Sequence, residues 1–309
     1  MHSLLSAQQL TVRFPGGVTA LDRLDLEVPN SGITCLLGAN GAGKTTLLEA
    51  AAGLQPLTQG RLRVLDRDPG SDANRSTVGV MLQDGGLPGS ARPRAFVSYV
   101  ARMYPHPRDV DEVLRSVDVD PDTRAPIRRL SGGEQRRVSW AAAMVGNPTA
   151  LLLDEPTAGV DPIGRDHLQA ILRTQRSQGV SMIVATHLVE DVETFATAVV
   201  VLREGSLVLA GLVEELRPRD ALIVRSPRPL DGRAVLAALP SGTSCRTISS
   251  IGRSGVAGTI SYVIHLPVDI DPSVMATVSS WCAQHSVPAD ITTADLGSVL
   301  WSALRGERW

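Results

Sequence analysis

A glycine-rich segment in the first fifty residues has the residue types and spacing that can hold a phosphate group. Its pattern is G-x-x-x-x-G-K-[ST], followed by a further threonine. The segment consists of Gly38, Ala39, Asn40, Gly41, Ala42, Gly43, Lys44, Thr45 and Thr46. Glycines let successive backbone N–H groups point at a phosphate, Lys44 can reach the β- and γ-phosphates, and the Thr45 hydroxyl can bind Mg²⁺. These residues predict a site for a nucleotide with Mg²⁺.

Two carboxylates and a histidine could supply the remaining chemistry of phosphate hydrolysis. Asp154 and Glu155 follow the apolar run 150–153, and His187 follows the apolar run 181–185 and one threonine. Asp154 could hold Mg²⁺, Glu155 could act as the base or positioning group for the attacking water, and His187 could donate to the γ-phosphate. Taken singly, Asp154 and Glu155 would be interpreted as ordinary polar residues at the end of a strand, and His187 as a structural histidine. Their meaning depends on the elements that position them.

The apolar runs predict strands that bring these groups to one place. Residues 33–37, directly before the glycine-rich segment, have the composition of a strand buried in a parallel sheet, as do 150–153 and 181–185. Residues 47–52 predict a helix that Gly53 stops. Ligands of parallel α/β sheets bind beyond the carboxyl ends of the strands. We therefore expect the glycine-rich segment, the carboxylates and the histidine at a single edge of the sheet. If the glycine-rich segment were only a turn between a strand and a helix, there would be no reason for these residues to lie together.

A second segment could bind an anion at the start of a helix. It consists of Leu130, Ser131, Gly132, Gly133 and Glu134. A serine, two glycine amides and a helix N-terminus together favour a bound phosphate. Such a site on one subunit could close over the γ-phosphate that another subunit holds. The structural alternative is a capping box, because Ser131 and Glu134 have the required spacing.

The composition limits the classes of protein that the chain can represent. Its 309 residues suffice for two domains, and its formal net charge of −2 gives no basic signature for nucleic-acid binding. The three cysteines are scattered, which suits a reducing compartment without disulfides or a zinc site. No run approaches the roughly 18–20 apolar residues of a membrane helix, and the first residues do not have the layout of a signal peptide.

The order of these motifs resembles that of the ATP-binding-cassette (ABC) family over about residues 1–215. The glycine-rich segment corresponds to the family's phosphate loop, 130–134 to its signature, 151–155 to its Walker B segment and 158–162 to its D-loop. The resemblance implies that Gln83 contacts Mg²⁺ and senses a membrane subunit, that Phe14 stacks on adenine, and that Asp161 is the D-loop aspartate. The stretch after Gln83 departs from the usual wording of the family, so the identity of the membrane partner stays open.

The resemblance also implies a fold, a set of roles and partners. The implied fold is the P-loop NTPase fold of an α/β nucleotide-binding domain with a helical subdomain. The implied catalytic residues are Lys44, Gln83, Glu155 and His187, and the implied Mg²⁺ ligands are Thr45, Gln83 and Asp154. Two cassettes, identical or paired, would meet head to tail and enclose ATP between the phosphate loop of one and the signature of the other. The chain would sit on the inner face of the cell membrane, in the cytoplasm, bound to a membrane-spanning permease.

The last ninety residues predict a second, smaller domain, so that 1–216 would be the ATPase domain and 221–309 an accessory domain. Alternating and periodic apolar residues predict strands at 221–225, 245–249, 260–266 and 287–292 and helices at 234–239 and 294–304. A further helix is predicted to begin at Asp271 and Pro272, with Val274, Val278, Trp281 and Cys282 on one face. That order favours a ferredoxin-like α+β domain. Its last helix resembles the tail of ATPase subunits from drug-export systems. A packing role and a ligand-sensing role are both compatible with this domain.

The function that the sequence favours is ATP hydrolysis coupled to transport through a separate permease, with export preferred on analogy. One alternative is an importer ATPase whose tail domain is regulatory. The other alternative is a non-transport ABC ATPase that acts on DNA or ribosomes. The absence of a long heptad-patterned insertion after Gln83, and the presence of one cassette in the chain, count against this last class.

Overall fold

The computed structural model describes residues 3–83, 86–227, 229–237, 239–248, 260–267, 270 and 272–307. The chain divides into two compact units, Met1–Ala210 and Gly211–Trp309. The division lies a little before the boundary expected between residues 216 and 221. Within the described ranges, no helix combines the length and apolar character needed to cross a membrane.

Strands and helices alternate along most of the chain. The strands are β1 Ser3–Arg13, β2 Thr19–Pro29, β3 Ile33–Leu37, β4 Gln59–Val64, β5 Val78–Met81, β6 Ala150–Asp154, β7 Ser181–Thr186, β8 Ala198–Arg203, β9 Ser206–Leu212, β10 Ala221–Ser226, β11 Ser244–Ile248, β12 Ile260–His265 and β13 Asp290–Thr293. The α-helices are α1 Lys44–Ala51, α2 Asp72–Arg75, α3 Pro93–Ala101, α4 Val110–Ser116, α5 Gly132–Met144, α6 Pro162–Ser177, α7 Val189–Phe195, α8 Val213–Leu216, α9 Gly232–Ala237, α10 Pro272–Gln284 and α11 Leu296–Arg305. A short 3₁₀ helix spans Ile127–Arg129.

The first unit is organised by a six-stranded sheet with the order β5-β6-β7-β3-β8-β9. Strands β3, β6 and β7 are buried along their whole length, and β7 pairs in parallel with both neighbours. The register aligns Leu37 with Thr186 and Asp154 with Ala185. The three predicted strands are therefore confirmed as adjacent, and their carboxyl ends coincide at one edge.

A smaller antiparallel sheet, with the order β2-β1-β4, completes the first unit together with α1. Leucines from both sheets and from α1 form one core, among them Leu4, Leu36 and Leu47. Helix α1 ends where predicted, since Gly53 has a φ of +72°, a left-handed conformation that glycine adopts without strain. This core holds the start of α1 against the edge of the parallel sheet.

Helices α3, α4 and α5 form the predicted helical subdomain between β5 and β6. The helices pack against one another through apolar residues such as Val97, Val113 and Val138, which are fully buried. Asp109 caps α4 by accepting a hydrogen bond from the backbone N–H of Glu112 at 2.8 Å. The subdomain ends in α5, which returns the chain to β6 and the carboxylates.

The second unit contains a four-stranded antiparallel sheet with the order β11-β12-β10-β13. Numbered within the unit, this order is 2-3-1-4, the arrangement of a ferredoxin-like fold, which confirms the prediction. Val224 and Ile264 of the sheet share a core with Val278 and Trp281 of α10. The alternation and helical spacing of these apolar residues thus specify the unit.

The last strand and the last helix of the second unit begin later in the structure than predicted. Strand β13 begins at Asp290 and not at residue 287, because Ser286 has a left-handed φ of +55° and Pro288 has no N–H to pair. The last helix begins at Leu296, where Asp295 caps it through the backbone N–H of Ser298 at 2.8 Å. The predicted positions at Ala238, Ser249 and Asp271 lie outside the described residues.

Candidate nucleotide site at the edge of the parallel sheet

The glycine-rich segment passes close to the backbone of β2 as it enters α1. Gly43 has a φ of +100°, and a Cβ at this position would lie 2.6 Å from the carbonyl oxygen of Ala20 and 2.8 Å from Cδ2 of Leu21. Gly41 also has a left-handed φ, +81°, but a Cβ there would meet no atom within 4 Å. Glycine at 43 is therefore required by both conformation and space, whereas glycine at 41 is required by conformation alone.

We expect Gly43→Ala to weaken nucleotide binding about tenfold more than Gly41→Ala does. Both changes strain a left-handed backbone, but only the first also pushes a methyl group into the carbonyl of Ala20. Titration with a fluorescent ATP analogue measures the two affinities under the same conditions. Equal affinities would show that the close approach of the loop to β2 does not shape the site.

Lys44 is the first residue of α1, and its side chain is only 6% exposed. Its Nζ donates to the carbonyl oxygens of Gly38 at 2.8 Å and Ala39 at 3.2 Å, and lies 3.8 Å from Oε1 of Glu155. Burial lowers the pKa of Lys44, and attraction to Glu155 and Asp154 partly offsets this effect. The amine therefore lies inside the loop, where it can exchange the two carbonyls for phosphate oxygens.

Thr45 and Asp154 form a pair of oxygen ligands beside this amine. The Thr45 hydroxyl donates to Oδ2 of Asp154 at 2.7 Å, and Asp154 is fully buried at the end of β6. Oδ1 of Asp154 has no hydrogen-bond partner among the described residues. Burial raises the pKa of the Asp154 carboxyl, and the hydrogen bond from Thr45 works in the opposite direction. A hard divalent cation would satisfy the free oxygen, so these residues fit Mg²⁺.

Glu155 is held in an uncommon backbone conformation next to Asp154. Its φ is +48°, a left-handed value for a residue other than glycine, and its N–H donates to the carbonyl of Ala185 at 3.0 Å. Its Oε2 lies 2.9 Å from Nδ1 of His187, whose side chain is 46% exposed. Strain of this kind persists only where surrounding contacts enforce it, and it concentrates at functional sites.

A buried aspartate that the sequence argument did not identify lies behind the Glu155–His187 pair. Asp191, on α7, is 1% exposed, and its Oδ2 accepts hydrogen bonds from the hydroxyls of Thr157 and Thr186. Burial raises the pKa of Asp191, and the two hydroxyls oppose that shift. The sequence signal is faint, because Asp191 lies in an ordinary acidic helix start after His187.

The other predicted nucleotide residues lie around this centre. Phe14 is 36% exposed in the loop between β1 and β2, the strand that carries Ala20. Gln83 is exposed just beyond β5, the neighbour of β6 in the sheet. It lines a cleft of about 520 Å³ with residues of the signature helix and the D-loop, including Gly132, Gln135, Ala158 and Gly159. Asp84 and Gly85, which follow Gln83, lie outside the described residues.

The signature segment, Leu130 to Glu134, has the geometry of a capping box. The N–H and hydroxyl of Ser131 donate to Oε2 of Glu134 at 2.8 and 2.7 Å, and the N–H of Glu134 donates to the Ser131 hydroxyl at 3.3 Å. These hydrogen bonds lower the pKa of Glu134. Gly132 is exposed and Gly133 is half-buried. The structural reading therefore holds for the free chain, and binding of a partner's phosphate stays a prediction.

Asp161 of the D-loop has a structural task in the free chain. Its Oδ1 accepts a hydrogen bond from the backbone N–H of Gly164 at 2.9 Å, so it is the N-cap of α6. Asp161 is exposed, as is Pro162 after it. The structure thus brings together Lys44, Thr45, Asp154, Glu155 and His187. Residues of the signature helix and the D-loop line the cleft beside Gln83.

Comparison with known proteins identifies the family. The ABC transporter family model matches residues 21–158. The Fe(3+) ions import ATP-binding protein FbpC of Streptomyces coelicolor is 38% identical over 232 residues, which span 72% of this chain and 66% of that protein. The cobalt import ATP-binding protein CbiO of Rhodobacter capsulatus is 34% identical over 68% of this chain and 79% of its own length.

A solved structure supports the same relationship. The structure of cbiO1 from Clostridium perfringens, described as part of the ABC transporter complex cbiONQ, superposes with a TM-score of 0.59 at 30% identity. The superposition covers 70% of this chain and 91% of cbiO1. Sequence, fold and motif order agree, and the chain belongs to the ABC transporter family, as one of the ATP-binding subunits that hydrolyse ATP.

Proposed function

We propose that this chain uses ATP hydrolysis to drive the import of a solute through a separate membrane permease. The observation that carries the ATPase part of the proposal is the assembly of Lys44, Thr45, Asp154, Glu155 and His187 at one edge of the parallel sheet. We assign residues 1–216 to the ATPase domain and 221–309 to an accessory domain. Phe14, at the loop before β2, would contact the adenine base.

Each residue at the sheet edge has a role that its geometry allows. Lys44 binds the β- and γ-phosphates after it leaves the carbonyls of the loop. Thr45 and Asp154 would hold Mg²⁺, with Gln83 approaching when the cleft beside it closes. Bound Mg²⁺ supplies neutralisation of the phosphate charge. The residues of the chain orient ATP, keep the reacting phosphate among fixed donors and position the water.

Glu155 and His187 are the pair that would act on the water and the γ-phosphate. Oε2 of Glu155 lies 2.9 Å from Nδ1 of His187, and Oε1 is the oxygen nearer to Lys44. Glu155 accepts the proton of the attacking water or orients that water, and His187 fixes the direction of the carboxylate. With Nδ1 facing Glu155, the other ring nitrogen of the half-exposed histidine can face the γ-phosphate.

The signature segment would complete the site of a second cassette. In the free chain Glu134 satisfies the N–H and hydroxyl of Ser131, and the exposed Gly132 lies at the start of a thirteen-residue helix. Backbone N–H groups at such a start favour a phosphate. A head-to-tail pair of cassettes, identical or not, would place this helix against the ATP bound by the other phosphate loop.

An apolar groove between α3, α5 and β5 is suited to a permease. The groove has a volume of about 330 Å³ and is lined by Leu82, Leu87, Phe96, Val100 and Ala142, among others. Tyr99 and Met103, at and just beyond the end of α3, are both 61% exposed. Large aromatic and methionine side chains at a surface favour partner recognition. The occupant we propose is a cytoplasmic segment of the permease.

Tyr99 and Met103 are adjacent in sequence to Val100 and Tyr104, which line the groove. We expect the double variant Tyr99→Glu/Met103→Glu to lower recovery of the permease at least about tenfold, since a permease that covers this exposed surface would desolvate two charges. ATP hydrolysis by the isolated chain should stay unchanged. Val208→Glu places a similar charge at another exposed apolar position and serves as the matched control. Equal recovery of the permease by both variants would place its docking surface elsewhere.

The direction of transport is proposed from the relatives. The named relatives are import ATP-binding proteins for Fe(3+) ions and cobalt, so they favour the importer alternative. The export direction, which rested on the resemblance of the tail helix, finds no support in these comparisons. Energy-coupling factor ATP-binding proteins of Clostridium perfringens are also similar, at 30% identity. The transported solute is accordingly expected to be small and, by these names, a metal ion or a micronutrient.

Purification of the tagged chain from detergent-solubilised membranes of its host tests the proposal. A co-purifying polytopic protein without its own cassette is the expected result. A solute-binding protein or a substrate-specific membrane component in the same complex would support import. Recovery of ribosomes or DNA-bound proteins alone would overturn the transport role and leave the ATPase assignment standing.

A further inference from the structure

The carboxylate of Asp191 is buried behind the site, where no group of ATP is expected to reach it. The residue lies in the first turn of α7 and is 1% exposed. Burying a carboxylate costs free energy unless hydrogen bonds and charges compensate for it. A residue with this cost and no contact to substrate needs another reason for its position.

Two threonine hydroxyls converge on one oxygen of Asp191. Oδ2 accepts from Oγ1 of Thr157 at 3.1 Å and from Oγ1 of Thr186 at 2.8 Å. Both threonines are fully buried. The Thr186 hydroxyl also accepts a hydrogen bond from the backbone N–H of Leu188 at 3.1 Å, so it acts as both a donor and an acceptor. Asp191 therefore joins two segments that are far apart in sequence.

The two joined segments are those that carry the proposed reacting pair. Thr157 follows Glu155 by two residues, and Thr186 directly precedes His187. Between them, the N–H of Glu155 donates to the carbonyl of Ala185 at 3.0 Å. Asp191 thus closes a ring of contacts that fixes the end of β7 relative to the turn after β6. The 2.9 Å contact between Glu155 and His187 joins the same two segments a second time.

We propose that Asp191 is a positioning residue for hydrolysis, which holds Glu155 and His187 in register through the hydroxyls of Thr157 and Thr186. The inference rests on the proposed roles of Glu155 and His187. The left-handed backbone of Glu155 is consistent with it, because a strained residue returns to a relaxed conformation unless neighbouring contacts enforce its position. The ring of contacts around Asp191 supplies that enforcement.

The charge of Asp191 also connects the segments that carry Glu155 and His187 to helix α6. Arg165 on α6 attracts the carboxylate, and α6 packs against α7. Asp161 of the D-loop is the N-cap of α6, and its main-chain carbonyl accepts a hydrogen bond from the N–H of Arg165 at 2.9 Å. Asp191 is therefore connected to the start of α6 through the charge of Arg165.

The test separates turnover from ATP binding. We expect Asp191→Leu and Thr157→Val each to lower kcat roughly 10- to 100-fold, because a displacement of about 1 Å of a reacting group can cost that much. The affinity for ATP, measured by titration with a fluorescent analogue, should stay within about twofold of wild type. Thr157→Ser keeps the hydroxyl and should restore most of kcat. The double variant Asp191→Leu/Thr157→Val should be far from additive, since both changes remove the hydrogen bond between Asp191 and Thr157.

Thr197→Val is the control for loss of a threonine hydroxyl that bonds the backbone of another segment; Thr197 is half-buried. Its hydroxyl accepts from the N–H of Ile33 and donates to its carbonyl, both at 2.9 Å, at the opposite end of β3 from the phosphate loop. It should lower the melting temperature and leave kcat unchanged. Wild-type kcat in Asp191→Leu, or a Thr157→Ser variant as slow as Thr157→Val, would overturn the inference. A wild-type chain without ATPase activity would instead overturn the proposed function.

Discussion

Lys44→Ala is expected to lower ATP turnover at least about 100-fold, the usual cost of losing one preorganised donor to a developing charge. Nζ of Lys44 is the one buried cation that contacts the loop in the described structure, where it bonds the carbonyls of Gly38 and Ala39. Without it, two backbone carbonyls and two carboxylates would face the phosphates, and the protein would supply no cation inside the loop to oppose them. The rate of phosphate release at saturating ATP measures the effect.

The appropriate control for Lys44→Ala removes a cation that lies at the surface. Arg23, whose side chain is 72% exposed, pairs only with its neighbour Asp22 at 3.4 Å. Surface pairs of this kind contribute little, so Arg23→Ala should hydrolyse ATP at the wild-type rate. Lys44→Arg should not restore the activity, because a planar guanidinium does not fit where a compact ammonium is enclosed by the loop. Near-normal turnover in Lys44→Ala would refute the assignment of the phosphate loop.

Glu155→Gln is expected to lower turnover about 10²- to 10⁴-fold, the range that a positioned general base contributes. The amide retains the shape of the side chain and one oxygen near His187, but it cannot accept a proton from water. ATP should still bind, because Lys44, Thr45 and the backbone of the loop remain. The variant is thus expected to separate binding from hydrolysis, which Lys44→Ala does not.

The same variant tests the head-to-tail pairing of two cassettes. If the signature of one chain closes over ATP on the other, Glu155→Gln should accumulate as a dimer with ATP and Mg²⁺ and remain monomeric with ADP. Sedimentation velocity distinguishes the two states. A monomer that retains ATP under these conditions would contradict a homodimeric site and leave pairing with a different cassette as the remaining arrangement.

The elements around the site could be predicted because their signals are local. Strands β3, β6 and β7 are continuous apolar runs that lie directly before the residues they position, and fully buried parallel strands have that composition. Apolar alternation and helical spacing likewise specified the second unit. In each case one short stretch of sequence contains both the element and the residue that ends it.

The contacts that refine the site could not be predicted, because they join distant segments. Nothing in the sequence around Gly43 reveals that the carbonyl of Ala20 would exclude a side chain there. The convergence of Thr157 and Thr186 on Asp191 likewise depends on how α7 packs behind the sheet. These arrangements are decided by tertiary packing, and single residues of common type give no sign of them.

The direction of transport could not be predicted from the sequence, for a different reason. The ATPase motifs perform the same chemistry in importers and exporters, so they contain no information about direction. The export preference rested on one helix of the tail, α11 at Leu296–Arg305, which lies beyond the region that the family model matches. Direction is a property of the permease, and only relatives with a stated direction could inform it.

Lys44 is the only lysine in the chain, and its side chain is 6% exposed within the phosphate loop. An amine-selective reagent therefore meets a single side-chain target, and that target is enclosed by carbonyl groups and, with ATP bound, by phosphates. The rate at which the reagent modifies Lys44 therefore measures how often the phosphate loop opens. Because the other basic side chains are arginines, Lys44 can be labelled selectively without removing any other lysine or introducing a new reactive residue.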